Sequence, residues 1–138
     1  MSVAEIEARR AARKAALAAQ RDEQYAKDLE ALDGLEVKHG DGGVTSVETP
    51  SYSAGLPTMA VVRAPSKSEY DRFRDQIVRS KGGPAQIQAQ DMLADVCVAY
   101  PDKETYKRMR EAFPGIHVSV SVAAVKLADG KIAEEGKG

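Results

Sequence analysis

The stretch LADVCVAYPDKETYKRMREAFPG, Leu93 to Gly115, decides how this chain is read. Leu93, Val96, Cys97 and Tyr100 fall at i, i+3, i+4 and i+7, which is one face of a helix. Pro101 breaks that helix, because it lacks an N–H and clashes with the preceding turn. Asp102 then caps a new helix, Glu104 suits its first turn, and Arg108 and Arg110 suit its last. Tyr106, Met109 and Phe113 share its inner side, interrupted only by Arg110, and Pro114-Gly115 closes it. The reading is an αα-hairpin with a tight Pro-Asp joint. Cys97, the only cysteine, lies on the apolar stripe. With no histidine within helical reach, it reads as a small buried hydrophobe rather than a nucleophile.

Working upstream, PAQIQAQDMLADVCVAY starts its helix at Pro84, where a missing N–H costs nothing. Before it, SKSEYDRFRDQIVRSKGG has capping-box spacing at Ser66 and Glu69, and an inner face of Tyr70, Phe73, Ile77 and Val78. Gly82-Gly83 ends that segment. Phe73 and Tyr70 carry its largest apolar surfaces. TMAVVRAP reads as an extended segment before Pro65. Downstream, IHVSVSVAAVKLADGK is two-valued. Val118, Val120 and Val122 alternate like a strand, yet Ser119 can cap a helix bearing Val122, Val125 and Leu127 and stopped by Asp129-Gly130.

Residues 2–33 contain neither Gly nor Pro and are rich in helix formers. Ser2 and Glu5 have capping-box spacing, and Gly34 offers a left-handed stop. Tyr25, Leu29 and Leu32 make the segment's one dense apolar face. Between Ile6 and Leu17 the stripe is nearly all alanine, which buries too little area to hold a helix on a core. The segment therefore reads as an arm ordered by a partner, without the sustained heptads of a free-standing coiled coil. Residues 34–57 are rich in Gly, Ser, Thr and Pro and read as a linker, with room for a small hairpin around Asp41-Gly42-Gly43. Gly40, Gly42 and Gly43 lack the Lys-Ser/Thr ending of a phosphate loop.

The organisation expected is thus mainly α: an arm over 1–33, a linker over 34–57, a compact helical domain over 58–130 and a polar tail over 131–138. The 20 basic and 21 acidic residues balance to a net charge of -1, which sets up no field for specific nucleic-acid binding. The cluster Arg9, Arg10, Arg13 and Lys14 reads as a solvated face. No apolar run is long enough to span a membrane, and charges interrupt the N-terminal segment where a signal peptide would be apolar. A soluble, intracellular protein is expected. His39 and His117 are far apart, and Asp91 and Asp95 read as a polar helix face. Neither a catalytic constellation, a cofactor motif nor a metal-ligand spacing emerges.

From about Arg63 to Gly130 the chain resembles tail assembly chaperones and related small tail-morphogenesis proteins of long-tailed bacteriophages. The likeness lies in RAPSKSEYDRFRDQI, in DVCVAYPDKETYKRM and in AFPGI followed by small residues. It implies a non-catalytic assembly protein whose helical part engages the tape measure protein or tail-tube subunits in the host cytoplasm. It also implies helix for 117–127, and architectural roles for Val96, Cys97, Val98, Tyr100, Pro101, Tyr106 and Phe113. The alanine- and arginine-rich arm departs from that pattern. It leaves room for the alternative of a permanent virion subunit (capsid, connector or tail) whose arm packs on neighbours, and for a homo-oligomer.

Overall fold

The computed structural model describes residues 1–80 and 83–137, with Ser80 and residues 131–137 given by backbone alone. The fold is mainly α. Among the described residues, five helices surround one small antiparallel sheet.

Helix α1 spans Val3–His39. Ser2 caps it, its hydroxyl accepting the Glu5 N–H at 3.2 Å. The helix passes straight through Gly34 and ends at Gly40, where φ is 85°. Gly34 costs a helix interior about 1 kcal/mol. Continuation lets Leu35 pack on the sheet, which offsets that cost. The boundary drawn at residues 33 and 34 therefore falls inside one element.

The linker is also ordered. Strand β1 (Val44–Glu48) pairs antiparallel with β2 (Met59–Arg63), Val44 opposite Arg63 and Glu48 opposite Met59. The hairpin connection is thus residues 49–58, and not Asp41-Gly42-Gly43. Those residues turn the chain from α1 into β1, where a Cβ on Gly43 would collide with the His39 carbonyl. Strand β2 is central and covered on both faces. Met59 and Val61 look toward α1, while Ala60 and Val62 join the main core. A strand buried on both faces reads as the continuous apolar run MAVV.

Helix α2 (Lys67–Ser80) opens on a reciprocal capping box. The Ser66 hydroxyl accepts the Glu69 N–H at 3.2 Å, and the Glu69 carboxylate accepts the Ser66 N–H at 2.8 Å. Gly82, the first glycine of the expected stop, lies outside the described residues. Helix α3 (Pro84–Cys97) packs on α2.

At Cys97 the structure departs from the αα-hairpin. Helix α3 does not run on to Tyr100. Residues Val98–Tyr100 form β3, which pairs antiparallel with β2 and leaves Ala99 as an extra, bulged residue. The pull is the unpaired edge of β2, whose backbone groups need partners. Helix α4 (Lys103–Ala112) follows, capped by Asp102. Helix α3 packs mainly against α2 and α5, so the stretch is helix–strand–helix and not two docked helices.

The two-valued segment is helical. Helix α5 covers Ile116–Lys137, running through Gly130 into the expected tail. Ile116, Val120 and Ala124 are its buried positions, at i, i+4 and i+8. Val118 and Val122, which suggested a strand, are 62% and 47% exposed. Ser119 sits inside the first turn and does not cap it. The core gathers Leu93, Cys97, Tyr106, Met109, Ile116 and Val120 under the β2 residues. No helix among the described residues is long and apolar enough to cross a membrane.

Cys97 is 0% exposed, and burial pushes its thiol up to about 11 from an ordinary 9.0. Two units lower the thiolate fraction about a hundredfold. Alkylation of the native protein at pH 8 should therefore run at least about a hundredfold slower than that of a model thiol, and reach the model rate in denaturant. Fast native labelling would contradict the packing.

Candidate functional site

Three side-chain clusters define what this fold presents to its surroundings. The first is Asp28, about two thirds of the way along α1 and 0% exposed. Its carboxylate accepts four hydrogen bonds: from the Thr58 N–H at 2.7 Å, the Thr58 hydroxyl at 2.6 Å, the Tyr100 hydroxyl at 2.5 Å and the Gln24 amide at 2.9 Å. A buried carboxylate is tolerated only when its lone pairs are filled. Here the donors come from α1 itself, from the loop before β2 and from the last residue of β3. Burial, and then the hydrogen bond to the Asp28 carboxylate, push the Tyr100 phenol well above its ordinary range.

Around this anchor, Tyr25, Leu32 and Leu35 lie on Val44, Met59 and Val61. Leu29 is turned outward and 41% exposed. The dense apolar face of the arm is therefore largely spent on the chain's own sheet. N-terminal to Gln24 the situation reverses, and every residue from Met1 to Glu23 is exposed. Residues 3–23 form a free helix about 31 Å long, at about 1.5 Å per residue. Anchoring at Asp28 supplies the costly helix nucleus, and the alanines then propagate it outward.

The second cluster is the α3–β3–α4 corner. The Arg63 guanidinium holds the Glu69 carboxylate bidentately at 2.8 and 2.9 Å and donates to the Val96 carbonyl at 2.7 Å. This ties β2, the start of α2 and the end of α3 together. The hydrogen bond from Arg63 pulls Glu69 down to about 2 from 4.5. Beside it opens a cleft of about 690 Å³. Its floor is Val96, Val98 and Pro101, with Val96 45% exposed. Its rim carries Lys103, Lys107 and Arg110, one side of α4 at i, i+4 and i+7. Lys103 and Lys107 form no ion pair among the described residues, and Arg110 reaches Asp95 only at 3.7 Å.

The third cluster is one that sequence order hides. His117, 4% exposed, sits behind the cleft against α3 and α4. Its Nδ1 lies 2.7 Å from the Tyr106 hydroxyl and its Nε2 lies 3.2 Å from the Asp91 carbonyl. The tautomer protonated on Nε2 satisfies both: the Tyr106 hydroxyl donates to Nδ1, and Nε2–H donates to Asp91. Asp95 and Asp91 carboxylates stand 3.5 and 3.8 Å from Nε2. Asp91 and Asp95 do therefore have a histidine beside them, supplied by α5. The signal available in sequence was His117 itself, one residue after Ile116 on the stripe that buries Val120 and Ala124. Burial pushes the Tyr106 phenol up to about 12, so it remains a donor.

The other expected interaction residues separate by burial. Leu93, Cys97 and Tyr106 are core, and Pro101 is buried at the cleft floor. Phe73 and Phe113 are half-buried against that core, and Tyr70 leans on Phe73 with ring centroids 6.1 Å apart. Of the expected interaction residues, only Val96 and Leu29 present substantial apolar surface outward. Truncating the half-buried Phe73 should cost less than the roughly 3–5 kcal/mol of a fully buried ring.

Two substitutions test this geometry. Asp28→Asn sets an NH₂ against O–H and N–H donors and should destabilise the fold by about 2–4 kcal/mol in urea unfolding. Glu69 is 27% exposed, so its ion pair is partly screened. Its folded value lies below the ordinary one, so its contribution is full above about pH 4.5 and is lost on acidification toward about pH 2. Glu69→Gln should cost about 1–2 kcal/mol at pH 7 and close to nothing at pH 2.

No family model, curated protein or solved structure gives a significant match to this chain.

Proposed function

We propose that this protein is a non-catalytic assembly factor that engages protein partners through its projecting helix. The observation that carries this reading is the run of exposed residues from Met1 to Glu23 on a helix anchored by a buried carboxylate. Isolated in water, a helix has to form its own costly first turn and frays from both ends. Held rigidly at one end, it offers a partner a preformed surface and spares most of the ordering entropy, about 1–2 kcal/mol per residue, that a disordered arm would lose on binding. The resemblance over Arg63 to Gly130 supplies the context: a tail assembly chaperone acting in the host cytoplasm on the tape measure protein or tail-tube subunits.

A second reading, a permanent virion subunit, is favoured by the same rigidity. An arm continuous with the core reaches a fixed distance, which suits packing on a neighbour at a set spacing. Mass spectrometry of purified particles separates the two, since the chaperone is absent from the mature particle and the subunit is stoichiometric in it.

Removing residues 2–23 should leave the thermal transition of the remaining fold intact and abolish co-purification with the tape measure protein. Removing 2–33 also deletes Tyr25, Asp28 and Leu32, and should unfold or strongly destabilise the sheet. Retained co-purification after the shorter deletion would take the arm out of the mechanism.

A further inference from the structure

We propose that the cleft at the α3–β3–α4 corner is the docking site for the first two turns of α1 from a second copy of this chain. The inference concerns self-association and holds whether or not the partner is a tape measure protein.

The cleft calls for a ligand of defined chemistry. Its apolar floor of Val96, Val98 and Pro101 is flanked by Lys103 and Lys107, which form no ion pair among the described residues, and by Asp95, whose one neighbouring base on the rim is Arg110 at 3.7 Å. A fitting segment has exposed aliphatic side chains, acids next to them, and a base one turn further on. The outer turns of α1 have this order. Val3 and Ile6 are 70% and 43% exposed, although they are large and aliphatic. Glu5 and Glu7 are the only charged side chains before Arg9 and Arg10. Val3, Ile6, Glu7 and Arg10 fall at i, i+3, i+4 and i+7, one side of the helix. Docked in the cleft, Val3 and Ile6 cover the floor, Glu7 meets Lys103 and Lys107, and Arg10 meets Asp95. The carboxylates also lie at the positive end of the helix, which keeps their charge favourable there before docking.

An arm paired with a copy of itself is the less suitable alternative. Past Glu7, the same side of α1 carries Arg10, Arg13, Lys14 and Arg21 with no acid between them. Two such faces would oppose like charges. Docking in a cleft elsewhere on the molecule is a heterologous contact. Exchanged reciprocally it closes a two-fold dimer, and passed on in one direction it builds a ring or chain.

The test is sedimentation velocity of the full-length protein from low micromolar to several hundred micromolar, at low and high salt. The wild type should show a mass that rises with concentration and falls with salt. Lys103→Glu with Lys107→Glu, and separately Glu7→Lys, should each weaken association about tenfold or more. Combining these three reversals should restore it to within about threefold of wild type, because the complementary charges are re-formed. Ile6→Ser, which leaves every charge in place, should weaken association without removing its salt dependence. Circular dichroism should match across the set, since all these side chains are exposed. A wild type that stays monomeric throughout, reversals without effect, or a combined variant no better than its parents would each overturn the proposal. Co-purification with the tape measure protein is read separately, so loss of self-association alone leaves the proposed function standing.

Discussion

The helix that this chain projects outward depends on one buried carboxylate. Asp28 accepts hydrogen bonds from α1, from the Thr58 corner and from Tyr100 of β3, residues 30 and 72 positions away in sequence. An uncompensated carboxylate in that position would cost several kcal/mol. The geometry is therefore held on all sides at once, and the helix cannot slide along the sheet without stranding a charge. That fixed point turns a weakly apolar helix into a rigid lever. Its inner half is sheet packing and its outer half is exposed surface, with the transition at Gln24.

The Arg63–Glu69 pair plays the corresponding part on the other side of the sheet. It joins the capping box of α2 to the end of α3 by way of the Val96 carbonyl. Helix α3 must stop where it does for that carbonyl to be available, and β3 then begins at Val98. The cleft is a consequence of this switch. If α3 had continued to Tyr100, the floor of Val96, Val98 and Pro101 would not exist, and Tyr100 could not reach Asp28. The two polar anchors thus bracket β3, three residues long: one takes the Val96 carbonyl just before it and the other the hydroxyl of Tyr100 at its end. Behind the cleft, the Tyr106–His117 pair fastens α4 to α5, so its basic rim stands on a fixed element.

Features that depend on near neighbours are legible in the residues alone. Caps at Ser2, Ser66 and Asp102, the start at Pro84, the extended MAVV segment and the helical character of residues 3–33 all follow from residues within a turn of one another, where local hydrogen bonding and side-chain entropy dominate. The rest is set by contacts between distant parts of the folded chain. Gly34 looked like a stop and is not, because packing of Leu35 on the sheet outweighs a glycine penalty of about 1 kcal/mol. The alternation Val118–Val122 looked like a strand and is helical, because Ile116, Val120 and Ala124 find the core at helical spacing. Tyr100 fell on the helical stripe of Leu93 and Cys97, yet the open edge of β2 claims its backbone and Asp28 claims its hydroxyl. His117 and Asp91 read as unrelated residues until α5 folded back on α3. In each case the deciding partner lies far away in the chain. Its contribution exceeds the few tenths of a kcal/mol to about 1 kcal/mol by which local propensities separate one conformation from another.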